Sequence, residues 1–290
     1  MVATIGYFDG VHLGHQQVLK RLVDVAVAAG EKSMVITFAE HPKRGMPLLS
    51  TLQERKERIL ACGVDVVDVL DFPSIRHMTA REFIHSVLRG LHVTTLLMGY
   101  DHRFGSDQMS DFRTYQAIGE MEGVKILCLP QYAFEGKRVS SSIIRSMIEF
   151  GDIDEANRML GYEYSMSGRV VGGRQIGRQI GFPTANLEIP TFNKVVAGTG
   201  VYVVDVECGK WDGRLRGMLN IGNNPTVGGS DNTIEVNLFD YSDNLYDETL
   251  RLVFLHRLRG EMLFYTIDDL KRQLECDRIA ARNFRREAEV

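Results

Sequence analysis

The sequence predicts two domains of different class: an α/β domain with a doubly wound parallel sheet, then an antiparallel β-barrel that ends in a helix. Residues 1–158 alternate apolar strand-like runs with amphipathic helices. Residues 159–290 contain short β-rich runs separated by turns rich in Gly, Asn and Asp. The segment from Gly161 to Gly229 also holds 14 of the chain's 28 glycines. The predicted domain border therefore lies near residue 158.

The first domain is predicted to consist of right-handed βαβ units, in which helices connect parallel strands. The predicted strands are Met1–Ile5, Met34–Phe38, Val64–Leu70, Thr94–Met98 and Lys125–Leu129. Helical spacing and capping boxes predict helices at His15–Ala29, Thr51–Ala61, Thr79–Leu88, Ser142–Phe150 and Asp152–Leu160.

The second domain shows no helical period between its β-rich runs, which favours a small antiparallel barrel. Its predicted strands are Tyr164–Val171, Val201–Val206, Leu215–Ile221, Thr233–Phe239 and Leu250–Leu258. Thr266 opens a final helix to about Arg286. We expect its residues Leu270, Leu274 and Ile279 to face the barrel.

Composition excludes several classes of protein. The 290 residues carry a net charge of -4 with both signs mixed, which argues against nucleic-acid and membrane-surface binding. No apolar run reaches the ~18 residues of a membrane span, and Met1 to Gly6 does not resemble a signal peptide. We expect the widely spaced Cys62, Cys128, Cys208 and Cys276 to be buried, reduced thiols of a cytoplasmic protein.

A glycine-punctuated turn with two histidines, His12 and His15, follows the first predicted strand. Either histidine alone would be an ordinary polar loop residue. At the start of a helix, however, free backbone N–H groups favour anions, and Gly10 and Gly14 allow the chain to approach a phosphate closely. Two imidazoles can donate hydrogen bonds to phosphoryl oxygens as charge develops. The turn is therefore a candidate phosphate site.

Two further motifs belong to the same domain. Gly99–Gly105 (GYDHRFG), which includes Asp101, follows a later strand, where an open α/β sheet has its ligand crevice. Hydroxyls and a guanidinium open the following helix, namely Ser140, Ser141, Ser142 and Arg145. They are either a helix cap with a solvated arginine or a second phosphate site, whose geometry such groups suit.

In the second domain, the glycine-rich segment Gly168–Arg178 leads into Gly181–Asn186 (GFPTAN). It lacks the Walker A pattern, so one interpretation is a plain β-turn. Thr184 and Asn186 lie two residues apart, however, so on an extended backbone their oxygens share one side. That pair suits a Mg²⁺ ion that keeps several waters and bridges ATP phosphates. Glu235 lies in an alternating strand, where most glutamates are simply exposed.

These motifs resemble known enzymes along nearly the whole chain. GYFDGVHLGHQ, GYDHRFG and SSSIIR, in that order, resemble the FMN adenylyltransferase module of bacterial FAD synthetases. GFPTAN resembles the PTAN motif of riboflavin kinases, and the likeness continues through Asn220–Thr226, Thr233–Phe239 and Arg259–Phe264. The resemblance implies a Rossmann-like nucleotidyltransferase domain followed by a riboflavin kinase barrel. The barrel would convert riboflavin and ATP to FMN, and the first domain would convert FMN and a second ATP to FAD and pyrophosphate, without a covalent enzyme intermediate.

The resemblance also implies residue roles. Glu235 would be the general base for a primary hydroxyl, and Thr184 and Asn186 would bind Mg²⁺. The adenylyltransferase phosphates would contact His12, His15, Gly10, Gly14, Asp101, Ser140, Ser141, Ser142 and Arg145. Kinase ATP would contact Gly172, Arg178, Thr184 and Tyr246, and the flavin would contact Arg259, Glu261 and Phe264. The implied partners are ATP, riboflavin and FMN, with the protein a cytoplasmic monomer or weak oligomer.

The chain departs from the family pattern at several positions. Where family members more commonly have the string PHP, this chain has Glu40-His41-Pro42. Ser106–Met109 replace the basic residues that often follow FG, and Asn237 stands where the kinase strand often has His. Because family members usually have a short leader before the first strand, we expect the natural start to lie upstream. Two alternatives remain at this point: another HxGH nucleotidyltransferase with an unrelated β-domain, and a non-catalytic flavin-binding regulator.

Overall fold

The computed structural model describes residues 1–41, 45–100, 102–107, 109, 111–130, 132–173, 176–189, 194–226 and 229–285. The chain divides into two compact units, 1–141 and 142–290. The sequence puts the border near residue 158 instead. The helix Ile153–Leu160 packs on the second unit because the Asn157 side chain donates to the carbonyl of Phe254 and accepts from the backbone N–H of Tyr164.

The first unit contains a five-stranded parallel sheet in the order β3-β2-β1-β4-β5, as the sequence predicts. Its strands are β1 (Val2–Ile5), β2 (Ser33–Phe38), β3 (Val66–Leu70), β4 (Thr95–Gly99) and β5 (Lys125–Leu129). Its helices are α1 (Leu13–Ala29), α2 (Leu52–Ala61), α3 (Phe72–Ile75), α4 (Ala80–Phe83) and α5 (Phe112–Glu122), and a short hairpin joins β6 (Ala133–Phe134) to β7 (Lys137–Arg138). β1 and β2 are buried along their whole length because apolar cores lie on both faces of the sheet.

The strand order has a reversal point between β1 and β4. The chain lays β2 and β3 on one side of β1 and then returns to place β4 on the other side. Open α/β sheets bind ligands at the carboxyl ends of the strands at such a reversal point. The turn with His12 follows β1, and the Gly99–Gly105 motif follows β4. The fold therefore brings the first two motifs to neighbouring strand ends.

The second unit is a closed barrel in which every neighbouring pair is antiparallel, in the order β10-β11-β12-β9-β8-β13. Its strands are β8 (Ser165–Val171), β9 (Ala185–Glu188), β10 (Gly200–Glu207), β11 (Leu215–Thr226), β12 (Gly229–Leu238) and β13 (Thr249–Arg259). Its helices are α6 (Ser141–Phe150), which begins at the division between the units, α7 (Ile153–Leu160), α8 (Ile176–Gln179) and α9 (Ile267–Asn283). The predicted barrel with a terminal helix is confirmed.

Two helices differ from their predictions. Thr79 caps α4 as expected, but the chain then widens into a π-helical turn at Ile84–Leu88. On α9, Ile279 is 51% exposed, and the buried residues are Asp277 and Ala281. Asp277 takes the inward position because it pairs with Arg259 of the barrel. The spacing of hydrophobic residues does not predict this ion pair.

The cysteines are free thiols, but they are not all buried. Cys128 and Cys276 are exposed, and Cys62 and Cys208 are half-buried. The expectation of four buried thiols is therefore wrong, because two are exposed and the other two are only half-buried. Within the described ranges, no helix combines the length and apolarity that a membrane crossing requires.

Candidate active sites

The turn after β1 has an unusual backbone. Phe8, Gly10 and Val11 have φ angles of 57°, 76° and 40°, so three of four consecutive residues lie in the left-handed region. Glycine adopts this region freely, but a β-branched valine does so only under strain. Such strain persists where surrounding contacts hold it, and it is concentrated at functional sites. The turn leads directly into α1 and its two histidines.

His12 is the N-terminal cap of α1, and its Nδ1 accepts a hydrogen bond of 3.3 Å from the backbone N–H of His15. Burial lowers the pKa of His12 to about 4, so the ring is neutral at pH 7. A neutral imidazole carries one proton, and because Nδ1 is an acceptor here, that proton lies on Nε2. His12 therefore presents an N–H donor from its far side.

The ring of His15 stacks on that of His12, with centroids 3.7 Å apart and an angle of 15° between planes. Burial, and secondly the proximity of His12, lowers the pKa of His15 well below its ordinary value. Its Nδ1 is buried without a hydrogen-bond partner in the protein. Native structures rarely leave such an atom unpaired, so it indicates a place for a ligand or water. The two predicted histidines thus form one neutral pair.

Ser141, the last residue of the first unit, contacts the turn after β1. A Cβ atom on Gly14 would lie 3.1 Å from the His12 ring, which leaves little room for a side chain, and 3.8 Å from the carbonyl of Val139, an ordinary contact distance. The Ser141 hydroxyl donates to the carbonyl of Asp9 at 3.0 Å. Ser141 therefore meets the turn, as a shared phosphate site requires.

The remaining predicted residues of this site differ in their placement. Gly10 is buried inside the turn, and Ser140 is half-buried before α6. Ser142 is exposed and Arg145 buried on α6, and both belong to the second unit. Asp101 lies outside the described residues, as do Pro42 and Gln108 of the departing segments.

In the barrel, the structure brings Thr184 and Glu235 together. The Thr184 hydroxyl donates to Oε2 of Glu235 at 3.0 Å, although the residues are 51 positions apart. Glu235 is half-buried, not exposed like most strand glutamates. A half-buried carboxylate held by a hydroxyl has a defined orientation, which a general base requires.

Asn186 lies opposite Glu235 in the pairing of β9 with β12. Its amide packs against the backbone of Gly173, where a Cβ atom would lie only 2.1 Å from Nδ2. Sequence analysis did not identify β9 as a strand, although this strand sets the position of Asn186. Thr184, Asn186 and Glu235 therefore occupy one region of the barrel.

Two contacts fix the segment that carries Thr184. A Cβ atom on Gly177 would lie 2.2 Å from the carbonyl of Phe182, which shows how closely α8 approaches the segment. The Asn237 side chain is buried, and its Nδ2 donates to the carbonyl of Pro183 at 2.6 Å. The departure from the family pattern at position 237 thus has a structural role in this chain.

Arg259 ends β13 and pairs with Asp277 of α9, with its Nη2 2.7 Å from Oδ2 and its Nε 3.0 Å from the same oxygen. Asp277 is 4% exposed and also accepts from Gln273. The Arg259 guanidinium lies 5.8 Å from the ring centroid of Phe264. The predicted flavin residues Arg259 and Phe264 are thus neighbours, and Asp277, which sequence analysis missed, holds the arginine.

The other predicted kinase residues lie at the surface. Glu261 is exposed, with Oε1 close to the backbone of Gly222. Gly172 and Arg178 are exposed at the end of β8 and on α8, and Tyr246 is 47% exposed in the turn before β13. Such positions are open to a ligand.

The barrel residues fit a bound magnesium ion. The Thr184 proton points to Glu235, which leaves the lone pairs of its hydroxyl oxygen available. Hydroxyl, amide and carboxylate oxygens are ligands that Mg²⁺ prefers, and it usually retains several waters. Among the described residues, no group of three or more His, Cys, Asp or Glu side chains could hold a metal by itself. A site with few protein ligands suits an ion that arrives with nucleotide phosphates.

Comparisons with known proteins agree with this geometry. The family model for FAD synthetase matches residues 1–143, and the model for riboflavin kinase matches residues 160–285. A match to the second model excludes the alternative of an unrelated β-domain. A solved structure titled "Crystal Structure of Macrolide-efflux Protein from Streptococcus pneumoniae" has a TM-score of 0.88 and 32% identity, covering 98% of this chain and 94% of that one. Its title names an efflux protein, whereas both matching family models describe enzymes.

Curated relatives match along nearly their full length. The bifunctional riboflavin kinase/FMN adenylyltransferase of Pseudomonas fluorescens is 38% identical, over 97% of this chain and 92% of the relative. The protein of that name from Escherichia coli K12 is 35% identical (98% and 92%), and that from Bacillus subtilis 33% identical (96% and 90%). With both motif sets present in order on the two expected folds, the chain belongs to the bifunctional riboflavin kinase/FMN adenylyltransferase family.

Proposed function

We propose that His12 and His15 bind the ATP phosphates during FAD formation, and that Glu235 is the general base of riboflavin phosphorylation. The observation that carries the second assignment is the 3.0 Å bond from Thr184 to Glu235. The first rests on the neutral, stacked histidine pair at the start of α1. The two activities themselves follow from the family, so the proposal concerns which residues perform each step.

In FAD formation, a phosphate oxygen of FMN attacks the α-phosphorus of ATP, and the bond to the β-phosphate bridging oxygen breaks to release pyrophosphate. The Nε2–H of His12 and the ring of His15 donate hydrogen bonds to phosphoryl oxygens as negative charge develops. The hydroxyls Ser140, Ser141 and Ser142, with Arg145, Gly10, Gly14 and Asp101, complete the phosphate contacts. The protein contributes position and charge stabilisation, and no protein atom forms a bond to phosphorus.

In riboflavin phosphorylation, the 5′-hydroxyl oxygen attacks the γ-phosphorus of ATP, ADP leaves, and the hydroxyl proton passes to Glu235. The hydrogen bond from Thr184 orients the carboxylate for this transfer. Thr184 and Asn186 would hold Mg²⁺, which would neutralise phosphate charge when bound. Arg259, Glu261 and Phe264 contact the flavin, and Gly172, Arg178 and Tyr246 contact ATP.

We also propose the setting in which the enzyme works. The free thiols are compatible with a reducing cytoplasm. We propose a monomer or weak oligomer with a functional border near residue 158, between the matched spans that end at 143 and begin at 160.

A paired-variant experiment tests the residue assignments. The His12→Ala/His15→Ala double variant should lose FAD formation from supplied FMN and keep riboflavin phosphorylation. Glu235→Gln should keep FAD formation and lose about 10²–10⁴-fold in phosphorylation rate, with riboflavin affinity little changed. Chromatography of flavins after incubation with Mg-ATP measures both products. Equal loss of both activities in either folded variant would contradict separate sites, and a Glu235→Gln rate above about a third of wild type would remove Glu235 as the base.

A further inference from the structure

The strained turn before His12 is held by a reciprocal contact between Asp9 and Ser50. The Ser50 backbone N–H donates to Oδ1 of Asp9 at 3.1 Å, and its hydroxyl lies 3.4 Å from the same oxygen. In the other direction, the Gly10 N–H donates to the Ser50 hydroxyl oxygen at 2.9 Å. The N–H of Leu49 also donates to the Asp9 carboxylate at 2.9 Å. Ser50 therefore bonds to two consecutive residues of the turn.

These contacts are buried, with Asp9 3% and Ser50 1% exposed. Water therefore cannot readily replace a lost bond, and an unpaired group at this depth carries its full desolvation cost. These contacts restrain the residues of the turn that have the least favourable backbone conformations. Phe8 and Val11 flank the contact, both at positive φ. Without an external restraint, a left-handed valine relaxes to a more common conformation.

Ser50 is itself firmly anchored. It precedes Thr51, which caps α2 through a full capping box with Glu54. The contact therefore couples the start of α2 to the turn that leads into α1. His12 comes two residues after Gly10, so a change in the turn changes the position and direction of its ring. Reactions that depend on oriented donors are sensitive to displacements of about 1 Å.

We propose that Ser50 is a positioning residue for adenylyl transfer: through Asp9 and Gly10 it keeps the strained turn in the conformation that aims His12 at the nucleotide phosphates. This inference rests on the proposed role of His12 and His15. Ser50 itself contacts backbone and carboxylate within the turn, so its effect on the reaction passes through the histidines.

The chain contains a matched control at the opposite, amino-terminal edge of the same sheet. Ser33 starts β2, and its N–H and hydroxyl donate to Oδ2 of Asp65 at 2.8 and 2.6 Å. The Asp65 N–H donates back to the Ser33 hydroxyl at 2.9 Å. Ser33 is 0% exposed. The two serines therefore make the same kind of reciprocal contact, and only Ser50 makes it beside the histidines.

The test compares Ser50→Ala with Ser33→Ala in the full-length enzyme. Ser50→Ala should lower the melting temperature more than Ser33→Ala, because Asp9 is buried whereas the Asp65 carboxylate is exposed to water. Ser50→Ala should lower kcat for FAD formation by about 10- to 100-fold, since a misplacement of about 1 Å in an active-site group can cost this much, with KM for ATP and FMN changed much less. Ser33→Ala should keep the wild-type kcat, and both should phosphorylate riboflavin normally. Ser50→Thr, which keeps the hydroxyl, should recover most of the lost rate.

Equal kcat values for Ser50→Ala and Ser33→Ala, at the same folded fraction, would overturn the inference. If Ser50→Ala does not fold, Ser50→Cys replaces it, because the thiol fills nearly the same space as the hydroxyl but is only a weak hydrogen-bond acceptor. An unchanged kcat in folded Ser50→Cys would also overturn the inference. His12→Ala separates this failure from that of the proposed function: if His12→Ala loses FAD formation and Ser50→Ala does not, only the positioning role fails.

Discussion

Asn237 donates a hydrogen bond from its side-chain amide to the carbonyl of Pro183, at 2.6 Å. The bond joins β12, which carries Glu235, to the segment that carries Thr184 and Asn186. The segments that carry Thr184 and Glu235 are therefore joined by a second hydrogen bond, and its two residues have no proposed role in the reaction. The barrel thus fixes the distance between the proposed base and the proposed metal ligands independently of any bound nucleotide.

Replacing Asn186 with Ala tests the proposed metal site. The substitution removes one oxygen ligand, so the kinase should turn over slowly and need more Mg²⁺ for half-maximal rate. FAD formation from supplied FMN should be unchanged because it uses the other unit. A Mg²⁺ titration of both activities measures this, and an unchanged half-maximal concentration would remove Asn186 from the metal site.

Gly173→Ala should have a similar effect without touching a ligand. The new Cβ would lie 2.1 Å from Nδ2 of Asn186, and a flexible amide yields more easily than backbone, so the side chain should move while the barrel stays folded. We expect a kinase rate lower by about 10-fold or more, since small displacements of an active-site group are costly.

Gly209→Ala is the matched control for this variant, because nothing lies within 4 Å of its new Cβ. It should keep the wild-type kinase rate and melting temperature. A Gly173→Ala enzyme with normal rate and normal Mg²⁺ dependence would show that the amide position does not matter.

Asp277→Asn tests the link between α9 and the proposed flavin residues. Removing the charge leaves the Arg259 guanidinium without its buried partner, which costs about 3 kcal/mol of unfolding free energy. We also expect a raised KM for riboflavin, because Arg259 and Phe264 lose their common support. Asp240→Asn is the control: its carboxylate pairs with Arg282 of α9 but is 75% exposed, so its loss should change the free energy of unfolding much less. Urea unfolding and riboflavin titrations measure both, and equal effects of the two variants would contradict the prediction.

Stability should depend on pH through His12. Its pKa is about 4 in the folded state and near 6.5 when unfolded, so below pH 6.5 the unfolded chain binds the extra proton first. The native state is therefore favoured above pH 6.5 and loses about 2 kcal/mol through this residue between pH 7 and pH 5. The loss ends near pH 4, where the folded ring also gains its proton. His12→Gln should remove this share of the pH dependence in urea unfolding followed by circular dichroism; an identical slope in both proteins would contradict it.

Much of the fold follows from local sequence, and the parts that do not have physical reasons. The strands of the parallel sheet are mostly apolar runs, and β1 and β2 are buried along their whole length, so composition alone reveals them. β9 has only four residues and follows a proline and glycine segment, which resembles a turn. The π-helical turn after α4 depends on how the chain is packed, and the buried Asp277 depends on an arginine 18 positions away.

Only part of the candidate site could be predicted from the sequence, because the sequence reveals local patterns but not contacts between distant residues. His12, His15, Thr184 and Asn186 belong to compact motifs, so their chemistry can be inferred from spacing. Ser50 and Asn237 act through partners 40 and 54 residues away in the sequence, and nothing in their own neighbourhoods distinguishes them. Glu235 looked like an exposed strand residue until folding placed Thr184 beside it.

The neutral state of the stacked histidines also bears on product release. Under the proposed assignment, the leaving pyrophosphate carries several negative charges, and a pair of imidazolium ions would attract it by unscreened charge in a buried site. Two neutral rings offer N–H dipoles, whose attraction depends on direction and falls quickly as the product moves away. The same burial that keeps these rings uncharged would then allow the turn to bind a phosphate firmly in one geometry and still let the product leave.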